Sequence, residues 1–154
     1  MSRKKNTKKR KKSDRPAGEA LSGDWDFLAA HHAPAPLDIV WCRFPIVEDP
    51  KNPGPKPRPA LVRRVLRRAD GATYLEVSYG TSNPARYSDH DLWIHNLAEM
   101  FDMGLPQATI FQLDRTVTVP WASEWFTTRE DGSGPVIGAL TPKYREYLKH
   151  ILRR

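Results

Sequence analysis

Apolar and polar residues alternate along several short stretches of the chain. In 38–44, Ile39, Trp41 and Arg43 fall on one side and Val40, Cys42 and Phe44 on the other. In 73–79, Leu75, Val77 and Tyr79 alternate with Tyr74, Glu76 and Ser78, and in 109–119 Phe111, Leu113, Val117 and Val119 share one side. A period of two is that of an extended strand, whose successive side chains point to opposite faces. Leu92–His95, Trp125–Phe126 and Val136–Ile137 read as shorter strands, the last two closing around the Asp131-Gly132 turn. The stretch 60–68 is ambiguous. Its apolar residues come in pairs (Leu61-Val62, Val65-Leu66) separated by arginine pairs, which is closer to a helical period. The proline before it and the Asp70-Gly71 turn after it suit a hairpin better, so strands are expected over both 60–68 and 73–79.

A period of 3.6 is clearest at the end, where Tyr144, Tyr147, Leu148, Ile151 and Leu152 form one stripe behind Thr141 as cap and Pro142 at the first helical position. A short helix is also expected over Ser22–His32, capped by Ser22 or Asp24, with Trp25, Leu28 and Ala29 on one face and Pro34 and Pro36 ending it. A helical turn over Leu97–Met103 stops at Gly104. Six prolines and Gly54 between Pro45 and Pro59 exclude regular structure there, and Gly80–Asp91 reads as a second loop. Many short strands with one terminal helix predict a mainly β fold, a small and strongly bent barrel.

Charge changes the picture at one end only. Residues 1–20 hold nine Lys/Arg against Asp14 and Glu19, so the whole formal excess of +7 lies there. That stretch has the composition of a disordered arm. It serves either as a loose, sequence-independent attachment to phosphate backbones or as a solubilising tail. Residues 21–37 read as a linker and 38–154 as the barrel domain. The 154 residues suit a single domain, and no apolar run is long enough for a membrane span. Cys42 is the only cysteine, which excludes an internal disulfide and a cysteine-based zinc cluster and makes a reducing, cytoplasmic setting the default.

Candidate chemistry centres on Lys56-Pro57-Arg58-Pro59-Ala60-Leu61-Val62. Two prolines hold Arg58 in extended backbone. A guanidinium positioned that way suits a phosphate or a carboxylate, although a plain loop arginine at a strand start has the same sequence. Arg63, Arg64, Arg67 and Arg68 form either a phosphate track or a solvated face. Trp41, Trp93, Trp121 and Trp125 either stack bases or, as is commoner in a small barrel, fill the core. His31-His32 and Asp89-His90-Asp91 lack convergent ligand spacing and read as surface groups, so neither a metal nor a cofactor is expected. Gly132-Ser133-Gly134 reads as a turn.

The order DIVWCRF, KPRPALV, VSYGTS, FQLDRTVTVP and VIGALTPKYREYL resembles the MazF/PemK (Kid) toxins of bacterial toxin–antitoxin systems, from Asp38 to the C-terminus. The resemblance rests most on "RPALV" and the "GTS" strand end. It implies an SH3-like barrel, a homodimer that cuts single-stranded RNA without metal, and a cognate antitoxin as partner. The family's signature arginine falls on Arg58, its strand-end threonine on Thr81 with Ser82 beside it, and the aspartate used in some members on Asp114. Lys56, Ser82, Arg63 and Arg115 are the expected RNA contacts. The basic arm and the apparent insertion Asn83–Asp91 depart from the toxin pattern. Two rivals stand beside the nuclease: a non-catalytic barrel that binds nucleic acid or protein, and a toxin of the same fold that blocks a protein target.

Overall fold

The computed structural model describes residues 24–128 and 131–153; the basic arm expected over 1–20 and the alternative cap Ser22 lie outside them. Six antiparallel strands curl into a half-barrel: β1 (Asp38–Cys42), β2 (Arg58–Arg67), β3 (Thr73–Thr81), β4 (Leu92–Ile94), β5 (Thr109–Pro120) and β6 (Val136–Ala139). Helix α1 (Leu97–Asp102) follows β4, and α2 (Pro142–Leu152) ends the described chain. In the sheet the strands lie in the order β4-β5-β3-β2-β1-β6.

The sheet is buried on both faces. One face packs Ile39, Leu61, Ile94, Phe111 and Leu113 against Tyr144, Leu148 and Ile151 of α2. The other packs Val40, Cys42, Val62, Val77 and Val119 against Trp121, Trp125 and Phe126. Burying an apolar side chain of this size stabilises by about 1.5–3 kcal/mol, so the three α2 residues suffice to hold the helix on the sheet. Two members of the expected α2 stripe stay out, with Tyr147 and Leu152 exposed. Thr141 stands at the N-cap, but its side chain makes no capping hydrogen bond.

The paired arginines and aliphatics of 60–68 have a local cause. The β2–β3 ladder shifts between Val62 and Arg64, so Arg63 is a bulge residue without a partner on β3. The bulge lets Val62 and Val65, three residues apart, face Val77 and Leu75 on the same side. A bulged strand therefore looked half helical in sequence. Arg63 turns its guanidinium under the sheet, where Nη1 donates to the Ser78 hydroxyl and to the Leu113 carbonyl, both at 3.0 Å. Burial lowers its pKa below the ordinary guanidinium value, with Glu76 opposing. Arg63→Met would leave the Leu113 carbonyl without this donor. We expect a loss of about 1–3 kcal/mol, read as a lower urea midpoint at unchanged slope.

A second and larger bulge corrects the expectation for β5. Ser78 pairs with Thr116 while Tyr79 pairs with Gln112, so Leu113, Asp114 and Arg115 stand between two consecutive positions of β3. The faces exchange across it. Phe111 and Leu113 join the cluster under α2, whereas Val117 and Val119 pack on the opposite side.

Two other expectations are corrected. No helix forms over 24–29; a single 3-10 turn occupies Ala30–His32. The segment instead runs alongside 121–123, with the Leu28 amide donating to the Trp121 carbonyl and the Trp121 indole to the Ala29 carbonyl. Its tryptophan packs edge-on against Trp125, so tertiary burial overrides the weak helical pattern. Trp125–Phe126 is likewise not a strand, because Phe126 makes only an isolated bridge to Cys42, and β6 pairs with β1.

Asn96 caps α1 by accepting from the Glu99 amide, and Glu99 then clasps α2 through Lys143 Nζ at 2.6 Å and the Tyr144 hydroxyl at 2.7 Å. The Lys143 bond, then the Tyr144 bond, hold the Glu99 carboxyl below its ordinary pKa of 4.5. Burial and then the same carboxylate push the Tyr144 hydroxyl up to about 12, so it remains a donor at neutral pH. A depressed carboxyl contributes stability above its unfolded pKa and loses it as pH falls through the folded one. The melting temperature should therefore drop on acidification below 4.5, and Glu99→Gln should start lower at neutral pH and show a shallower acid limb.

Candidate functional site

Arg58 is the first residue of β2 and Thr81 the last of β3. Their ladder runs Val62↔Val77, Leu61↔Ser78 and ends at Ala60↔Tyr79; the same register continued by two residues sets Arg58 level with Thr81. The close approach of the two strands continues there: a Cβ built on Gly80 would lie 2.3 Å from the Pro59 carbonyl oxygen. Directly opposed residues have Cβ atoms about 4.5–5.5 Å apart and share a face. On its other side Arg58 pairs with Cys42, and Thr81 pairs with Ile110, which in turn pairs with Trp93. With that register continued, one row runs across five strands: Cys42, Arg58, Thr81, Ile110, Trp93.

The proline-rich loop is seated by two contacts at the end of β1. Gly54 donates its amide to the Arg43 carbonyl, and Arg43 Nη1 donates to the Pro55 carbonyl at 2.9 Å. Gly54 leaves no room for a side chain, since a Cβ there would meet the Phe44 carbonyl oxygen at 2.2 Å. These contacts fix where Pro57 delivers Arg58, while Lys56 stays exposed.

The two central groups are differently committed. Among the described residues Arg58 has no hydrogen-bond or ion-pair partner, and it is half-buried. Thr81 is buried, and its hydroxyl accepts the Asn83 amide at 3.2 Å, which leaves the hydroxyl proton for another acceptor. Ser82 is exposed beside it. Arg115 joins the same face from the β5 bulge: its guanidinium lies 4.1 Å above the Tyr79 ring and 5.6 Å from Phe44. Phe44 and Tyr79 pack together at 5.0 Å, so this arginine rests on a fixed aromatic seat. Asp114, its neighbour in the bulge, is exposed and makes no hydrogen bond to Arg58 or Thr81.

No protein-family model and no curated protein matches the chain.

Of the expected residues, the fold brings Arg58 and Thr81 together and sets Ser82, Lys56 and Arg115 around them. Arg63 stands apart from them: its Nη1 is already engaged by the Ser78 hydroxyl and the Leu113 carbonyl beneath the sheet. Asp91 is a correction. It is buried, with its carboxylate accepting from the amide and hydroxyl of Ser88 at 3.0 and 3.2 Å, so it is a loop anchor rather than a surface group. Trp121 and Trp125 are core, whereas Trp41 and Trp93 keep partial exposure.

Sequence reasoning missed the Phe44–Tyr79 seat of Arg115, because the bulge that turns Arg115 onto Tyr79 leaves no mark in the residue pattern. It set the insertion 83–91 beside the site but gave it no internal structure. A 3-10 turn, Pro84–Arg86, is capped by the Asn83 side chain, and Gln112 on β5 donates to the Arg86 carbonyl at 3.4 Å. The Asn83-Pro84 pair was the available signal for that turn.

Proposed function

We propose that this chain is a metal-independent endoribonuclease of the MazF/PemK (Kid) type, an SH3-like barrel that cleaves single-stranded RNA. One observation carries the proposal: an uncommitted arginine stands directly across a strand pair from a threonine whose hydroxyl still has a proton to give. That is a small anion site at a sheet rim, with a flexible-backbone polymer as its natural occupant.

The chemistry suits these groups. The 2′-oxygen of a ribose attacks the adjacent phosphorus, the bond to the 5′-oxygen breaks, and a 2′,3′-cyclic phosphate is left. Charge grows on the non-bridging oxygens during that step. Arg58 and the Thr81 hydroxyl are placed to hold those oxygens, which is the largest contribution such a site makes. Arg115, fixed over Tyr79, adds a second cation. Arginine is a poor base in water, so the 2′-proton goes to the Asp114 carboxylate, and the leaving 5′-oxygen takes a proton from solvent. Lys56 and Ser82 contact the flanking backbone. The reading also carries a homodimer, a cognate antitoxin and a cytoplasmic setting.

The test is incubation of the purified protein with a pool of single-stranded RNA of mixed sequence in excess EDTA. Discrete shortened products are expected. RNA that is bound but stays intact would make the chain a non-catalytic binding barrel, and cleavage abolished by EDTA would require a metal step.

A further inference from the structure

We infer that Tyr87, Trp93 and His95 form a stacking subsite for one nucleobase of single-stranded RNA, beside the Arg58–Thr81 pair. The inference rests on RNA as the substrate class proposed above and names where its base goes.

Strand β4 is short and lies at the sheet edge. Its Leu92 and Ile94 are fully buried in the cluster under α2, so Trp93 between them projects to the opposite face. Thr81 is on that face too, because paired residues share a face and the pairs Thr81↔Ile110 and Ile110↔Trp93 link them. Two strand spacings separate Trp93 from Thr81, roughly 10 Å. A base attached to a phosphate held at Arg58 and Thr81 can span that gap.

Trp93 belongs to neither buried cluster. It sits in a row of rings, with Tyr87 at 5.1 Å and an interplanar angle of 38°, and His95 at 4.6 Å and 51°. Tyr87 is 38% exposed, and His95 is exposed as well. A row built to fill a core would be covered as Trp121 and Trp125 are, at 2% and 0%.

The loop that delivers Tyr87 is held from both ends. Asn83 caps its 3-10 turn, and the buried Asp91 carboxylate grips Ser88, the residue after Tyr87. Ring positions are therefore set before a ligand arrives, and little conformational freedom is lost on binding. Every base presents a π face, so such a row binds without strong sequence preference. Arg86, exposed on the same loop, and Arg58 and Arg115 across the site supply the positive surroundings a polyanion needs.

The experiment measures affinity for a short single-stranded oligonucleotide made uncleavable by 2′-O-methyl groups. A companion set carries one abasic position each. In the parent, one abasic position should weaken binding by about 5-fold to about 150-fold, the range of 1–3 kcal/mol for one base stacked on an aromatic ring. Trp93→Ala should weaken the intact oligonucleotide by a similar factor and be insensitive to that same abasic position. Tyr87→Ala, at an exposed site, should show a smaller loss with the same coupling, and it decides the matter if Trp93→Ala does not fold.

Independent, multiplicative losses would place the base elsewhere. Unchanged affinity in both variants would reduce the rings to edge packing, and no binding of any oligonucleotide would overturn the subsite outright. Cleavage of unmodified RNA is scored separately. A chain that cuts RNA without this coupling keeps the nuclease reading and loses the subsite; one that shows the coupling but cuts nothing keeps the subsite and loses the nuclease.

Discussion

Arg58→Ala should lower the rate of RNA cleavage at least ~100-fold, the scale of removing one preorganised donor from a developing oxyanion. Its stability should stay within about 0.5 kcal/mol of the parent, because Arg58 is not buried and has no hydrogen-bond or ion-pair partner among the described residues. That combination separates a site residue from a structural one. Arg58→Lys keeps the charge but loses the planar fork, so it should recover only part of the rate. Thr81→Val should also slow the reaction, by about tenfold or more, yet less cleanly. Removing its hydroxyl frees the Asn83 amide and loosens the loop that follows. Rates under substrate saturation and urea midpoints on the same preparations check all three variants. Wild-type rates in Arg58→Ala would remove this arginine from the chemistry.

Gly80→Ala should damage both stability and activity without touching either site residue. A Cβ at that position would meet the Pro59 carbonyl oxygen at 2.3 Å and the Phe111 ring at 3.1 Å. Neither neighbour is the free end of a flexible side chain. The β2 and β3 backbones must part, and they part where Arg58 faces Thr81. Overpacking of this kind costs about 1–3 kcal/mol, and a displacement near 1 Å at a reacting centre can cost about 100-fold in rate. Gly134→Ala is the matched control, since nothing lies within 4 Å of a Cβ there. It should leave the urea midpoint and the rate as they are. If Gly80→Ala cleaves like the parent, the tight strand contact does not position the site.

The juxtaposition that both predictions use could be counted from the sequence. Arg58 lies twelve positions before Asp70 and Thr81 ten after Gly71, and a hairpin turning there brings them level. The structure turns at that place, with Gly71 at a φ of 90° and the Asp70 side chain accepting the Ala72 amide. β2 contributes one residue more than β3 over that span, and Arg63 absorbs it as the bulge. β4, α1 and α2 were also legible, because a short apolar run, a Gly104 stop and a Thr-Pro start leave local marks.

Other parts of the fold were not. A bulge changes which face a residue takes without changing its chemistry, so strict alternation puts Val117 and Val119 on the face of Phe111, where they are not. Residues 24–29 carry a weak helical period, while their structure is set by Trp121, Glu124 and Trp125, nearly a hundred positions away. The Glu124 carboxylate accepts the Asp26 amide, a contact no local pattern announces. The ring row on β4 depended on knowing that this strand pairs with β5 and which of its faces is covered.

The central claim, attack by a ribose 2′-hydroxyl at the Arg58–Thr81 rim, is tested most directly by the ends left on the cut RNA. Products made in excess EDTA should carry a 2′,3′-cyclic phosphate upstream and a 5′-hydroxyl downstream, and a single 2′-deoxy sugar at the cut position should block that cut. A 3′-hydroxyl paired with a 5′-phosphate, or cleavage that proceeds at the 2′-deoxy position, would contradict it.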